Sequence, residues 1–116
     1  MRFELTKDIL EDIREYISTG NDSKLEAFLS DLHHADIEEL IDELKLNEAI
    51  YLFKLLSEQK KADVLVELED DVREKLLESM TSKEIADIVE DKIDSDDAAD
   101  LFSSLSSDKK SEVISL

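Results

Sequence analysis

Apolar side chains return every three or four positions along almost the whole chain, as in Ile9, Leu10, Ile13, Tyr16 and Ile17, then Ile37, Leu40, Ile41 and Leu44, then Val72, Leu76, Leu77 and Met80. This spacing puts each set on one side of an α-helix, and the strict alternation of a half-buried strand is sustained nowhere. Between the stripes lie short polar residues able to cap a helix start: Thr6, Ser23, Asn47, Ser57, Asp70, Thr81, Ser95 and Ser106. Ser23 with Glu26 and Thr81 with Glu84 carry the Ser/Thr-x-x-Glu signature of a capping box. The pattern predicts about nine helices, at 6–18, 23–31, 34–44, 48–56, 58–68, 71–79, 82–91, 96–104 and 107–115. Helices of two or three turns are marginal alone, so each must be held by burying its stripe on neighbours.

The later helices repeat. Comparable positions Asp36, Ala49, Asp63, Glu74, Asp87, Asp100 and Glu112 are separated by 13, 14, 11, 13, 13 and 12 residues. A small residue followed by an acid marks the same point in Ala35-Asp36, Ala62-Asp63, Ala86-Asp87, Ala99-Asp100 and Ser111-Glu112. Two such units make a helical hairpin of about 25 residues, shorter than a tetratricopeptide or HEAT period. The expected fold class is therefore all-α, with short-helix hairpins stacked into a right-handed superhelical solenoid whose concave side offers an extended binding surface. Residues 1–116 are expected to form a single domain, with 1–22 as a leading helix and turn and 23–116 as helical repeats.

Composition narrows the function. Of 116 residues, 32 are acidic and 14 basic, a formal charge of −18, while 41% are apolar. That apolar fraction is enough for a small core. The negative surplus would repel a phosphate backbone, so nucleic acid is excluded as a first partner, and cations or basic surfaces fit better. With no proline and only Gly20, the usual strand and hairpin punctuation is missing. The absence of cysteine rules out disulfides, thiolate zinc sites and a Cys nucleophile. The longest unbroken apolar run, Ala49 to Phe53, is five residues, against about 20 for a membrane span. The opening Met1 to Asp8 is too acidic for a signal or transit peptide, so direct membrane insertion by this segment is not expected.

Catalytic chemistry finds little to work with. His33 and His34 are the only histidines, and there is no His-Glu-x-x-His, phosphate loop or Gly-x-Ser-x-Gly. Asp36 lies two residues beyond His34, too close in sequence to stand above it on one helix face, and a cap at a helix start or a solvated imidazole explains the pair. A calcium loop begun at Asp94 would need glycine at Ala99 and a bidentate glutamate at Leu105, and has neither. Asp96 and Asp100, at i and i+4, project from one helix face and repel unless something neutralises them. Asp96 and Asp97 are also favoured simply as first-turn carboxylates. Phe28, Tyr51, Phe53 and Phe102 fall in apolar clusters and are expected in the core.

Three segments resemble a known family. Leu32-His33-His34-Ala35-Asp36-Ile37-Glu38-Glu39-Leu40 is similar to the opening of the cytosolic N-terminal domain of MgtE magnesium transporters, Val72-Arg73-Glu74-Lys75-Leu76-Leu77 resembles a stretch further along, and Asp96-Asp97-Ala98-Ala99-Asp100-Leu101-Phe102 resembles a third. The order and spacing agree over about residues 25–116. His34 stands where the family usually has proline, a position in the first helical turn. The resemblance implies a regulatory domain, not an enzyme, at the cytoplasmic face of the cell membrane. It further implies Mg2+ held by Asp63, Asp96 and Asp100 together with acids of neighbouring domains absent from this chain, locking the closed pore. Asp63 stands where the family often has glutamate. The partners implied are cystathionine-beta-synthase-type domains and the membrane domain of the same transporter, in a homodimer. The alternative is a helical-repeat interaction domain without an ion role, similar to the helical domains of the flagellar motor switch protein.

Overall fold

Thr6 opens the first helix as its spacing predicts: its hydroxyl accepts the Ile9 N–H at 3.2 Å, and α1 runs Lys7–Thr19. Gly20, at φ 69, closes it. In this left-handed conformation its N–H returns to Ile17 and the Asn21 N–H to Tyr16, satisfying carbonyls the helix end leaves open. In the computed structural model, residues 4–91 and 95–115 are described, apart from the side chains of Asp91 and Ser95. They form α2 (Asp22–Ser30), α3 (His34–Glu43), α4 (Leu46–Lys54), α5 (Glu58–Glu67), α6 (Asp70–Glu78), α7 (Ser82–Asp91), α8 (Ser95–Ser103) and α9 (Ser107–Ser115), with no strand among the described residues. The fold is all-α.

Helix starts follow caps, though not always the expected ones. Thr81 accepts the Glu84 N–H while Glu84 accepts the Thr81 N–H, each at 3.2 Å, which is the predicted box. Ser106 accepts the Lys109 N–H. The box predicted for Ser23 and Glu26 does not form, because Asn21, directly after the turn at Gly20, caps α2 by accepting the Lys24 N–H. Asn47 lies inside α4, which starts from Lys45, where the Glu48 carboxylate accepts the Lys45 N–H at 2.9 Å. Asp70 is the first residue of α6 and not its cap, which is Glu69. The cap position preceding Ser95 lies outside the described residues.

The chain divides into two compact units, Met1–Ser57 and Glu58–Leu116. In the first, α1 packs on α2 and α4, and α3 packs on α4. The stripe predicted on α3 is wholly inside, with Ile37, Leu40, Ile41 and Leu44 buried beside Leu25, Leu29, Ala49, Leu52 and Phe53. In the second, α5 packs on α7 and α8, and α7 on α9. Its core gathers Val64, Leu65, Leu76, Leu77, Ile85, Ile88 and Leu101. Helices that pack mainly on near neighbours in the chain are what stacked hairpins require.

Arg73 is the buried charged residue of the second unit. Its Nη2 donates to the Leu68 carbonyl at 3.0 Å and to Asp70 at 2.9 Å, so the guanidinium closes the turn between α5 and α6. An apolar residue there would leave the Leu68 carbonyl without this donor.

Of the four aromatic rings expected in the core, Phe53 alone is fully buried, and Phe28, Tyr51 and Phe102 are half-buried. The reason is visible for Tyr51, whose hydroxyl leaves the core to donate to the Asp22 carboxylate. That bond, with desolvation and the Asp22 charge, holds the Tyr51 hydroxyl above its ordinary value of 10.0. The raised value means that folding favours protonated Tyr51. The contribution is fully present below the ordinary value and is lost as pH rises through the folded one. An ultraviolet absorbance titration should show a tyrosine ionising above pH 10.0 that Tyr51→Phe removes and Asp22→Asn brings back down. If Asp22→Asn leaves that titration where it was, the hydrogen bond does not set it.

Candidate functional site

The repeat positions do not share one environment. Ala49, Ala62 and Ala86 are buried, and Ala35 and Ala99 are exposed. The acids beside them do different jobs. Asp36 accepts the His33 N–H at 3.2 Å, and His33 Nδ1 accepts the Ala35 N–H at 3.2 Å, so the two residues cap α3 reciprocally. This is the structural role expected of the histidine pair. His34 stacks on His33 with ring centroids 4.0 Å apart and sits 3.7 Å from the Glu38 carboxylate, one turn on. The His33 imidazole thus serves the start of α3.

Asp63 lies on α5, half-exposed, and one oxygen accepts from Gln59 Nε2 at 3.0 Å, one turn earlier on the same helix. Asp96 and Asp100 lie on α8, both exposed, one turn apart. Asp96 and Asp97 occupy the first turn, where unpaired N–H groups favour negative charge. The Asp100 backbone carbonyl accepts from the Ser103 hydroxyl. Because α5 packs against α8, the fold brings the Asp63 helix beside the Asp96 and Asp100 helix. It does not close the three carboxylates into a cage, since among the described residues no group of three or more acids or histidines is placed to hold a metal ion.

The donor set is nonetheless chemically specific. Exposed carboxylates offer hard oxygen ligands, which suit Mg2+ or Ca2+ and not the softer metals that prefer thiolate or imidazole. Magnesium keeps several of its waters and takes one or two carboxylates directly, so an open acidic face meets its demands better than a closed site would. Asp94, where a calcium loop would begin, lies outside the described residues, and the positions that would continue such a loop are helical through Ser103. Leu105, in the place of the glutamate, is buried. No described helix is long and apolar enough to cross a membrane.

The described residues form an all-helical, strongly acidic fold with carboxylates on an exposed helix face. Residues 32–116 match the MgtE intracellular N domain, and the chain belongs to that family. It is thereby a regulatory domain of a magnesium transporter and not a member of an enzyme family. Among curated proteins no match was found.

Proposed function

We propose that this domain senses intracellular magnesium and, when magnesium is bound, docks on neighbouring cytosolic domains of the same transporter to favour the closed pore. The observation carrying this reading is the pair Asp96 and Asp100, exposed one turn apart on α8 and set on a helix that packs against the Asp63 helix. Three carboxylates that face outward without closing on one another make half of a site. Acids of a second domain, brought to the same ions, supply the other half, which matches magnesium's preference for few direct protein ligands and retained water. The family match runs across both compact units, which supports reading them as one regulatory domain.

The energetics follow from net charge. At −18 the domain repels another acidic surface, and a cation bound only in the docked arrangement shifts the population toward it by its differential affinity. Cystathionine-beta-synthase-type domains are the proposed docking partners, in a homodimeric transporter with a membrane domain. On magnesium loss the repulsion separates the domains and opening is favoured.

Small-angle scattering of the complete cytosolic region, titrated with magnesium at fixed ionic strength, tests the proposal. The wild type is expected to compact, and the Asp96→Asn, Asp100→Asn double variant to need about tenfold more magnesium, a change of about 1.4 kcal/mol. Asparagine keeps size and removes two charges, so it also weakens the repulsion without metal. Cation affinity is therefore measured separately by calorimetry. A wild type that stays extended, or a double variant that compacts at the wild-type concentration, leaves a plain interaction solenoid as the better reading.

A further inference from the structure

Helices α1 and α2 precede the family-matched segment, residues 32–116, yet share a core with it. Ile13, Leu25 and Leu29 are fully buried, and α1 lies on α4 as well as on α2. The other side of α1 is polar, with Asp8, Glu11, Asp12 and Glu15 exposed. Among the stripe residues of α1 only Ile13 is fully buried; Ile9, Leu10, Tyr16 and Ile17 are half-buried. With one apolar face and one charged face, α1 covers α2 and α4 on one side and meets water on the other.

Its grip is concentrated at one corner. Arg14 reaches from α1 to the turn between α3 and α4, where Nη2 donates to the Glu43 carbonyl at 3.2 Å and Nε to Glu48 Oε1 at 3.4 Å. Glu43 is the last residue of α3, and the final carbonyls of a helix have no partner within it. Glu48 Oε1 is the oxygen that accepts the Lys45 N–H at the start of α4. One guanidinium thus meets the negative end of α3 and the capping carboxylate of α4 together. The rigid guanidinium fork holds its Nε and Nη2 donors apart toward two separate acceptors, whereas the ammonium of lysine concentrates its donors on one atom. A second tie joins α4 to the other helix of the hairpin, where the Tyr51 hydroxyl donates to Asp22 of α2.

We infer that the α1–α2 hairpin is an integral cover of the family-matched α3–α4 corner, latched onto it by Arg14. The latch is an ion pair with Arg14 40% and Glu48 16% exposed, so it is partly screened by salt. Its loss would release the hairpin and the corner together while the core of the second unit stays closed.

Native-state hydrogen exchange on the full chain tests this in wild type, Arg14→Ala and Arg14→Lys. In Arg14→Ala the amides of α1, α2 and residues 44–49 are expected to exchange roughly three- to tenfold faster, with α5 to α9 unchanged. Arg14→Lys should recover part of the protection, because it restores the charge without the fork. Raising sodium chloride to about 0.5 M should narrow the gap between wild type and Arg14→Ala. Exchange in α1 and α2 equal to wild type in Arg14→Ala overturns the latch. So does an acceleration spread evenly over α5 to α9, which would mark a general loss of stability.

Discussion

Phe53→Ala is expected to lower the free energy of unfolding by about 3–5 kcal/mol, the largest effect of any single truncation in the first unit. Phe53 is the largest fully buried side chain among the described residues, at 1% exposure. It sits on α4, the helix that both α1 and α3 pack against, among Leu52, Ala49 and the α3 stripe. Removing the ring forfeits its transfer free energy and leaves a void that three converging short helices must either tolerate or close by shifting. Each of these helices depends on packing for its existence, so collapse around the void is itself costly. Urea titration followed by circular dichroism measures the effect as a fall in midpoint at constant slope. A loss below about 1 kcal/mol would show that the ring is not the keystone of this unit.

Leu76→Ala should cost about 2–4 kcal/mol by the same measurement, and here the location of the damage is as informative as its size. Leu76 is at 0% exposure on α6, beside Leu77 in a second unit whose aromatic residue, Phe102, is only half-buried. That core is therefore aliphatic, made from Val64, Leu65, Ile85, Ile88 and Leu101. Branched aliphatic side chains fill space in few rotamers and relax little around a missing isobutyl group. The Arg73 guanidinium, three residues earlier on α6, ties the same helix to the preceding turn and limits how far α6 can move inward. A cost under about 0.5 kcal/mol would mean that the α6 stripe faces solvent.

The helices were legible in the sequence to within two residues at nearly every start. Without proline and with one glycine, nothing competes with the three-four periodicity. The departures have a local cause. A capping box at Ser23 satisfies its own N–H groups, but Asn21 stands directly after the left-handed Gly20 and starts the helix two residues sooner. At α4 the Glu half of the box works without a hydroxyl partner: Glu48 three residues after Lys45 is the signal, and a search for Ser, Thr, Asn or Asp overlooks it. Arg14 with Glu48 and Tyr51 with Asp22 join residues 34 and 29 positions apart, and no local pattern marks such pairs. The candidate site divides in the same way. Asp96 and Asp100 can be placed on one face from i,i+4 spacing alone, whereas the placement of the helix that carries Asp63 beside theirs depends on α5 packing against α8, which is a fact of tertiary structure.

The packing of several helices on one that is close along the chain has a kinetic meaning. Pairs such as α1 with α2, α3 with α4 and α7 with α9 close only short loops before they gain burial, so the search that precedes the first stable contacts is brief. Local pairings of this kind favour fast folding. The complete lack of proline removes the isomerisation that otherwise adds phases of tens of seconds. A domain free of proline isomerisation can lose local structure and recover it without the slow phase of a proline-limited chain.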